Sequence, residues 1–268
     1  MNPASKIQEG TVDIDDLNIH YIKTGSGEHI VLFMPSVLEL NVGMLESCEH
    51  FVFQLELLDD KKYTLISWDA PGYGKSRPPD RTFPDNYLER DACWAYRMMK
   101  ALGYEKFSLV GICDGATTGL LLAARYPETI RKLVLIDSRV FMEQKHLDRA
   151  EAVRDVDKWS EERKRRTLPI YGKDYSQKVW SECVDTMKRT FITRQGDICK
   201  DSLAKIKCPT LIIYESGFCV EDMDQQSYIK QHIENSQLQV VESQAFDIHL
   251  KHYKELNEIL SEFLSGNS

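Results

Sequence analysis

The chain has 268 residues, of which 42% are apolar and 10% aromatic, enough to bury one large core without a second domain. Its 34 basic and 42 acidic residues give a net charge of -8, which repels nucleic-acid phosphates and anionic lipid head groups. We therefore expect neither nucleic acid nor a membrane as a partner. A basic run at 163–166 follows two glutamates and is typical of a solvated helix face.

The seven cysteines contain no CxxC pair and no regular spacing, so the sequence predicts neither a disulfide framework nor a metal site. No cofactor motif occurs, and a reducing compartment fits the cysteine pattern. The first ten residues lack the apolar stretch of a signal peptide, and no run of about 18 apolar residues follows. A cytoplasmic location is the simplest prediction.

Short apolar runs of the β type alternate with helical patterns, which is typical of a parallel sheet wrapped by helices. The predicted strands are an edge hairpin of 11–14 and 17–24, followed by 29–34, 63–69, 107–111, 132–137, 210–215 and 238–242. Predicted helices span 87–102, 114–126, 222–233 and 251–264. Gly103 is suited to the positive φ that follows the first of these helices.

The pattern changes between 141 and 199 to charged, amphipathic helices that contain Trp159 and Trp180. No convincing strand occurs in this stretch. We therefore predict a core formed by 1–140 and 200–268, with 141–199 as a helical insertion over the sheet.

A turn with the layout of a nucleophile elbow follows the strand at 107–111. The segment Gly111-Ile-Cys113-Asp-Gly115 lies between an apolar strand and an Ala/Leu-rich helix, which is the context of the G-x-S-x-G motif. Small residues flank such a turn because the strained central residue leaves no room beside it. Cys113 thus occupies the position that serine usually holds, above a helix N-terminus that favours negative charge.

Two interpretations of Cys113 are open. It is either a reactive nucleophile, which needs a base or a cationic neighbour, or a small core residue retained because the backbone still needs the elbow. The choice between them depends on which residues stand at the positions of the catalytic base and the catalytic acid.

Longer motifs match a known family over most of the chain. The stretch Trp68-Asp-Ala-Pro-Gly-Tyr-Gly-Lys-Ser-Arg-Pro-Pro-Asp-Arg81 corresponds to W-D-x-x-G-Y-G-x-S-R-P-P-D-R, and further matches lie at Glu89-Arg-Asp-Ala92, Tyr171-Gly-x-Asp-Tyr175 and Cys208-Pro-x-Leu-Ile212. On these motifs the chain resembles the valacyclovir hydrolase, or biphenyl hydrolase-like, family. The resemblance implies an α/β-hydrolase fold: a mostly parallel eight-stranded sheet with flanking helices and a helical cap. It also implies, for the relatives, hydrolysis of esters that carry an α-amino group.

The resemblance does not extend to the residues of the catalytic triad. The family acid lies in a G-E-x-D-P pattern, and Phe218 stands at its position here. The family histidine lies in a G-x-H-x-x-H-L pattern, and aligning His249 with the second histidine puts Phe246 at the catalytic one. A phenyl ring can neither accept a proton from Cys113 nor orient a base, and an apolar pocket disfavours the charged thiolate.

Two features of a ligand pocket remain. The family P-G-x-L after the third strand is here Pro35-Ser-Val-Leu38, which places Ser36 and Val37 at the pocket, with backbone N–H donors at Val37 and Asp114. In the relatives the aspartate after the nucleophile pairs with the substrate amino group, and Asp114 keeps that position. Its alternative role is a carboxylate that the N-terminus of the helix stabilises.

Other side chains that could restore catalysis lie nearby in the sequence. His249 corresponds to a non-catalytic family histidine and favours a structural role. Asp137 ends a strand where some hydrolases place their acid, and Glu221 and Asp247 are loop carboxylates.

The leading hypothesis is therefore a catalytically degenerate family member, a pseudoenzyme, that binds a small amine-bearing or aromatic ligand between sheet and cap. The first alternative is an enzyme of altered mechanism that acts on an ester-like or amine substrate through Cys113 or the oxyanion donors. A protein that acts through its surface is the second alternative. The sequence leaves open whether the chain is an enzyme.

Overall fold

The computed structural model describes residues 6–36, 47–216, 223–242 and 248–266. Its strands are β1 (Gln8–Ile14), β2 (Leu17–Thr24), β3 (His29–Met34), β4 (Tyr63–Trp68), β5 (Phe107–Ile112), β6 (Ile130–Ile136), β7 (Thr210–Glu215) and β8 (Ser236–Val241). They form one sheet in the order β1-β2-β4-β3-β5-β6-β7-β8. The pairs β1/β2 and β2/β4 are antiparallel and the other neighbours are parallel, which confirms the predicted fold class and its edge hairpin.

Helices cover both faces of the sheet, so its central strands are buried on both sides. The helices α2 (Tyr87–Ala101), α3 (Asp114–Arg125) and α7 (Met223–His232) pack on one face, and α1 (Val52–Leu57) and α9 (Tyr253–Ser265) pack on the other. Along β6, Leu133 and Leu135 join the first apolar cluster, whereas Val134 and Ile136 join the second. This alternation follows from the two-residue period of a strand, and it explains the nearly continuous apolar runs in the sequence.

Helices alone connect β6 to β7. They are α4 (Gln144–Ala152), α5 (Glu161–Tyr171) and α6 (Lys173–Thr193), and a bridge between Phe141 and Asp197 joins the two ends of the segment. The helices found in 141–199 agree with the helical pattern predicted for this segment. That the segment is a separate cap stays a prediction.

Arg163 corrects one sequence-based expectation. The basic run at 163–166 was expected to be a solvated face, but Arg163 is 1% exposed. Its guanidinium carbon lies 3.6 Å from the ring centroid of Trp159 and 4.4 Å from that of Trp180. Stacking on two indoles provides a cation–π environment that offsets the cost of burying the charge.

The predicted strands and helices agree with the structure to within three residues at each end. Gly103 has the expected positive φ, at 86°, directly after α2 and its C-cap residue. The sequence missed the 3₁₀ helix Ser47–Phe51, the short α1 that continues it, and α8 (Ile248–Lys251).

Within the described ranges, no helix combines the length and apolar character that crossing a bilayer requires. The same ranges contain no disulfide. The cytoplasmic location stays a prediction.

Candidate active site

Cys113 lies in a sharp turn between β5 and α3, at the edge of the sheet where its parallel strands end. Its backbone has a φ of 51° and a ψ of -119°, which is a rare conformation for a residue other than glycine. Its amide donates a hydrogen bond to the carbonyl oxygen of Ile136 at 2.9 Å and so ties the turn to the end of β6. This is the geometry of a nucleophile elbow.

The two glycines of the elbow are required by close approach of the backbone. A Cβ atom on Gly111 would lie 2.6 Å from the Cα atom of Ala116, and one on Gly115 would lie 2.2 Å from the carbonyl oxygen of Met34. Both distances are far below van der Waals contact. The turn therefore brings α3 directly onto the backbone of β3 and β5.

The side chain of Cys113 is half-buried against the apolar cluster on one face of the sheet. Its sulfur lies at the N-terminus of α3, where the helix dipole favours negative charge. The position is that of a nucleophile, and a nucleophilic role stays a prediction.

Asp114 is the first residue of α3, and its carboxylate is joined to the end of β3. The hydroxyl of Ser36 donates a hydrogen bond to Oδ1 of Asp114 at 2.6 Å. The structure thus brings together two residues that the sequence assigned to the pocket. Their contact could not be foreseen from the sequence, because 78 positions separate them.

A cavity of about 20 Å³ lies beside Asp114. Its lining consists of Met34, Pro35, Trp68, Ala70, Asp91, Asp114, Gly115 and Thr118. The walls are largely apolar, with two carboxylates among them, so a bound charge there is poorly screened by water.

The second carboxylate of the cavity, Asp91, already has a cationic partner. Arg81 is buried and donates to Oδ1 of Asp91 at 3.0 Å through Nη1, and to Oδ2 through Nη2. The rings of Tyr73 and Phe83 lie 4.9 Å and 5.1 Å from the same guanidinium. Asp91 therefore serves to compensate a buried arginine charge.

Neutral hydroxyl and thiol groups surround the charge of Asp114. Burial raises the pKa of Tyr73 and Tyr87 well above the usual range, and the Asp114 charge adds a smaller increase. Burial also raises the pKa of the Cys183 thiol to about 12, with the charge of Asp114 as the next cause. Cys183 belongs to α6 and joins the apolar cluster that contains Met34 and Tyr73.

The carboxylates at the ends of β6 and β7 each accept a backbone hydrogen bond. Oδ1 of Asp137 accepts the N–H of Glu215 at 3.1 Å, and Oε1 of Glu215 accepts the N–H of Ile248 at 3.2 Å. Glu215 is 1% exposed. Its hydrogen bond to the N–H of Ile248 anchors the start of α8. Sequence reasoning considered Asp137 as a catalytic acid and did not single out Glu215.

Several predicted site residues lie outside the described ranges. They are Val37, Phe218 and Phe246, together with the loop carboxylates Glu221 and Asp247. Their roles in the oxyanion hole and at the acid and base positions stay predictions.

A second group of reactive side chains, which the sequence did not predict, lies buried where β2, the end of β4 and the 3₁₀ helix Ser47–Phe51 meet. Nδ1 of His20 is 2.8 Å from Oδ2 of Asp69 and 3.9 Å from Sγ of Cys48. Each of the three residues offers one potential ligand atom, and these three atoms lie within 4.8 Å of one another. Asp69 also accepts the backbone N–H groups of Cys48 and Lys75, each at 2.9 Å. Hydrogen bonds thus already satisfy Asp69, and the group fixes the loop after β4.

Three further histidines, one partly buried and two buried, have separate surroundings. Nε2 of His29 is 2.8 Å from Oγ of Ser108, near the amino ends of β3 and β5 and therefore at the opposite edge of the sheet from Cys113. His50 and His249 are buried against one another, with ring centroids 5.4 Å apart. The structural role that the sequence favoured for His249 stays a prediction.

Comparison with known proteins supplies the family. A family model described as alpha/beta hydrolase fold matches residues 40–163. The chain is 35% identical to the Serine hydrolase BPHL of Mus musculus, over 97% of this chain and 88% of that protein. It is 34% identical to the Serine hydrolase BPHL of Homo sapiens over the same shares.

Solved structures agree on the architecture. A membrane phospholipase A, described as a novel bacterial virulence factor, superposes with a TM-score of 0.75 at 20% identity, over 98% of this chain and 87% of that one. The CarC serine hydrolase of carbazole degradation gives a TM-score of 0.74 at 17% identity, over 97% and 99%. At these identities the structures show the fold alone. The nearly full-length match to the BPHL proteins goes further, and the chain belongs to their family, the valacyclovir hydrolase or biphenyl hydrolase-like branch of the α/β-hydrolases.

Proposed function

We propose that this chain binds a small ligand carrying a protonated amino group, with the Asp114 carboxylate as its counter-charge. The observation that carries the proposal is the position of Asp114, which lines the cavity and accepts the hydrogen bond from Ser36. Apolar walls strengthen the attraction between a carboxylate and a cation, because little water screens them.

The size of the cavity indicates which part of the ligand it receives. A space of about 20 Å³ holds a group of about the size of a water molecule, which is also the size of an ammonium head. Trp68 and Met34 in the lining offer contact to an aromatic or aliphatic group attached to that head. The proposal therefore assigns the amino group to the cavity, and an aliphatic amine that bears an aromatic ring is the preferred class.

The proposal includes binding without serine-hydrolase turnover. The relatives are named serine hydrolases, but Cys113 stands at the serine position, and the sequence puts Phe218 and Phe246 at the acid and base positions. Without a base, no group takes the proton from the nucleophile or returns it to the leaving group. The ligand is then bound and released unchanged.

Calorimetric titration with 2-phenylethylamine and its N-acetyl derivative tests the amine site. We expect the amine to bind the wild type, the neutral derivative to bind at least about tenfold more weakly, and Asp114→Asn to lose a similar factor for the amine, equal to about 1.4 kcal/mol. Asp201→Asn is the matched control, since Asp201 is exposed on the 3₁₀ helix Lys200–Lys205 and does not line the cavity. Equal binding of both compounds, or unchanged binding by Asp114→Asn, would contradict the proposal.

One observation favours a second candidate, a thiol-dependent acyl transfer. Cys113 keeps a positive φ that glycine would adopt at lower cost, and such strain concentrates at functional sites. In this reaction Sγ of Cys113 would attack an ester carbonyl, the alcohol would leave with the thiol proton, and water would hydrolyse the thioester. Intact-mass analysis after incubation with an acyl ester tests it. An adduct on the wild type that is absent from Cys113→Ala supports the candidate, and no adduct together with no turnover rejects it.

A further inference from the structure

His50 and His249 form a fully buried pair that neither the fold nor the cavity at Asp114 accounts for. His50 lies in the 3₁₀ helix Ser47–Phe51 and His249 lies in α8, and they are 2% and 1% exposed. Their rings are tilted by 47° with centroids 5.4 Å apart. The tertiary fold thus places two imidazoles side by side in an apolar region.

The ring nitrogens of this pair have no hydrogen-bond partner among the described residues. None of the four ring nitrogens of His50 and His249 makes a hydrogen bond to any residue, and neither does Oε1 of the buried Gln54, in the part of the chain that the structure describes. Buried polar atoms are paired in folded proteins almost without exception, because an unpaired one loses its hydration without compensation. Five such atoms in one region indicate a binding site for an ion or ligand that makes polar contacts.

The three side chains converge from two helices. His50 and Gln54 are four positions apart in one continuous helical stretch, a spacing that places both side chains on the same face. Nε2 of Gln54 donates to the carbonyl oxygen of His249 at 3.1 Å, so the amide group lies against α8. The amide group of Gln54 and the ring of His50 therefore both lie against His249 of α8.

The separation of the rings suits one metal ion. Two imidazoles on a tetrahedral ion with metal–nitrogen bonds of about 2.0 Å have ring centroids about 5 Å apart. The observed distance is 5.4 Å.

Both imidazoles stay neutral, so each ring keeps a lone pair on one nitrogen. Burial lowers the pKa of His50 to about 3 and that of His249 well below its usual range, so both rings are neutral at physiological pH. The neutral ring is the form that metal ions bind. The charge of Arg166 on α5 lowers both pKa values further, and Glu162 pairs with that guanidinium at 2.9 Å.

We propose that His50 and His249 coordinate a transition-metal ion of the Zn²⁺ type, with Oε1 of Gln54 as a third ligand. The group formed by His20, Cys48 and Asp69 is the competing location. Its carboxylate is already satisfied by hydrogen bonds and the ring of His20 is paired with it, so that group requires no ion.

Calorimetric titration of the full, metal-stripped chain with Zn²⁺ tests the proposal. We expect one ion per chain, with binding weakened at least about tenfold in each of His50→Phe and His249→Phe. Cys48→Ser, which removes the thiol of the competing group, and His232→Ala, which changes a histidine bound to the carbonyl oxygen of Tyr228, should bind as the wild type does. Circular dichroism confirms that each variant is folded.

X-ray absorption of the Zn²⁺-loaded wild type gives a result that does not depend on any variant. The proposal predicts nitrogen and oxygen ligands at about 2.0–2.2 Å and no sulfur at about 2.3 Å. A sulfur ligand would place the ion at a cysteine and overturn the proposal. It is also overturned if the wild type binds no Zn²⁺, or if the double variant His50→Phe/His249→Phe binds it as tightly as the wild type.

Discussion

The hydroxyl of Ser36 donates a hydrogen bond to Oδ1 of Asp114 at 2.6 Å and thereby joins the end of β3 to the start of α3. Ser36 stands where the family pattern has glycine, so the donor is a side chain that the family pattern does not supply. The bond restricts the orientation of the Asp114 carboxylate. This is the carboxylate that we propose as the counter-charge of the ligand's amino group. It therefore links a departure from the family pattern to the proposed binding site.

Substitution of Ser36 by glycine tests this link. A hydrogen bond to a charged group contributes about 1.5–3 kcal/mol, and without it the carboxylate of Asp114 is less well ordered. We expect the Kd of 2-phenylethylamine to rise by about tenfold in Ser36→Gly, whereas Ser36→Thr, which keeps a hydroxyl, should bind more tightly than Ser36→Gly. Calorimetric titration measures both. If the three proteins bind equally, Ser36 has no part in positioning the carboxylate.

A pair of glycine substitutions in α3 tests the tight packing of the elbow. A Cβ atom on Gly115 would lie 2.2 Å from the carbonyl oxygen of Met34, whereas one on Gly119 would make only ordinary contacts at 3.8 Å. Gly115→Ala should lower the free energy of unfolding by about 3 kcal/mol or more, because backbone must move. Gly119→Ala should be neutral or stabilise by up to about 1 kcal/mol, since alanine is the better helix former. Urea unfolding of both variants provides the comparison, and a tolerated Gly115→Ala would show that the elbow is looser than the structure indicates.

The buried histidine pair predicts acid sensitivity of the metal-free chain. Because burial lowers the pKa of His50 and His249, the unfolded chain binds more protons than the folded chain once the pH falls below the unfolded pKa of about 6.5. Their contribution to stability is thus complete above about pH 6.5 and decreases as the pH falls towards about 3, the folded pKa of His50. Each ring adds a slope of up to about 1.4 kcal/mol per pH unit in this window.

Urea unfolding between about pH 7 and about pH 5 measures this slope. The double variant His50→Phe/His249→Phe should lose the contribution of both rings, whereas His252→Gln, a change at the N-cap of α9, should keep it. Equal slopes for the wild type and the double variant would show that the two rings are hydrated in the folded state.

The sequence predicted the sheet and the elbow well because both are encoded locally. The strands of 29–34 and 210–215 are short apolar runs between turn residues, and the elbow needs only a strand, two glycines and a helix. The stretch Val52–Leu57 was missed because V-F-Q-L-E-L alternates like a strand and the helix has no side-chain N-cap bond. Contacts between distant segments were also missed. The Ser36–Asp114 bond and the His50–His249 pair depend on tertiary packing, for which one sequence carries no local signal. The burial of Arg163 depends in part on Trp180 of α6, although Trp159 is only four positions away.

The central claim is that the chain binds amine-bearing ligands and does not turn them over. The most direct measurement follows binding and hydrolysis of phenylalanine methyl ester by the wild type and by Cys113→Ala in parallel. Our account predicts that both proteins bind the ester with similar affinity and that neither hydrolyses it faster than the uncatalysed reaction. Hydrolysis by the wild type at an enzyme's usual rate, on the order of 1–1000 per second, that Cys113→Ala abolishes would contradict it.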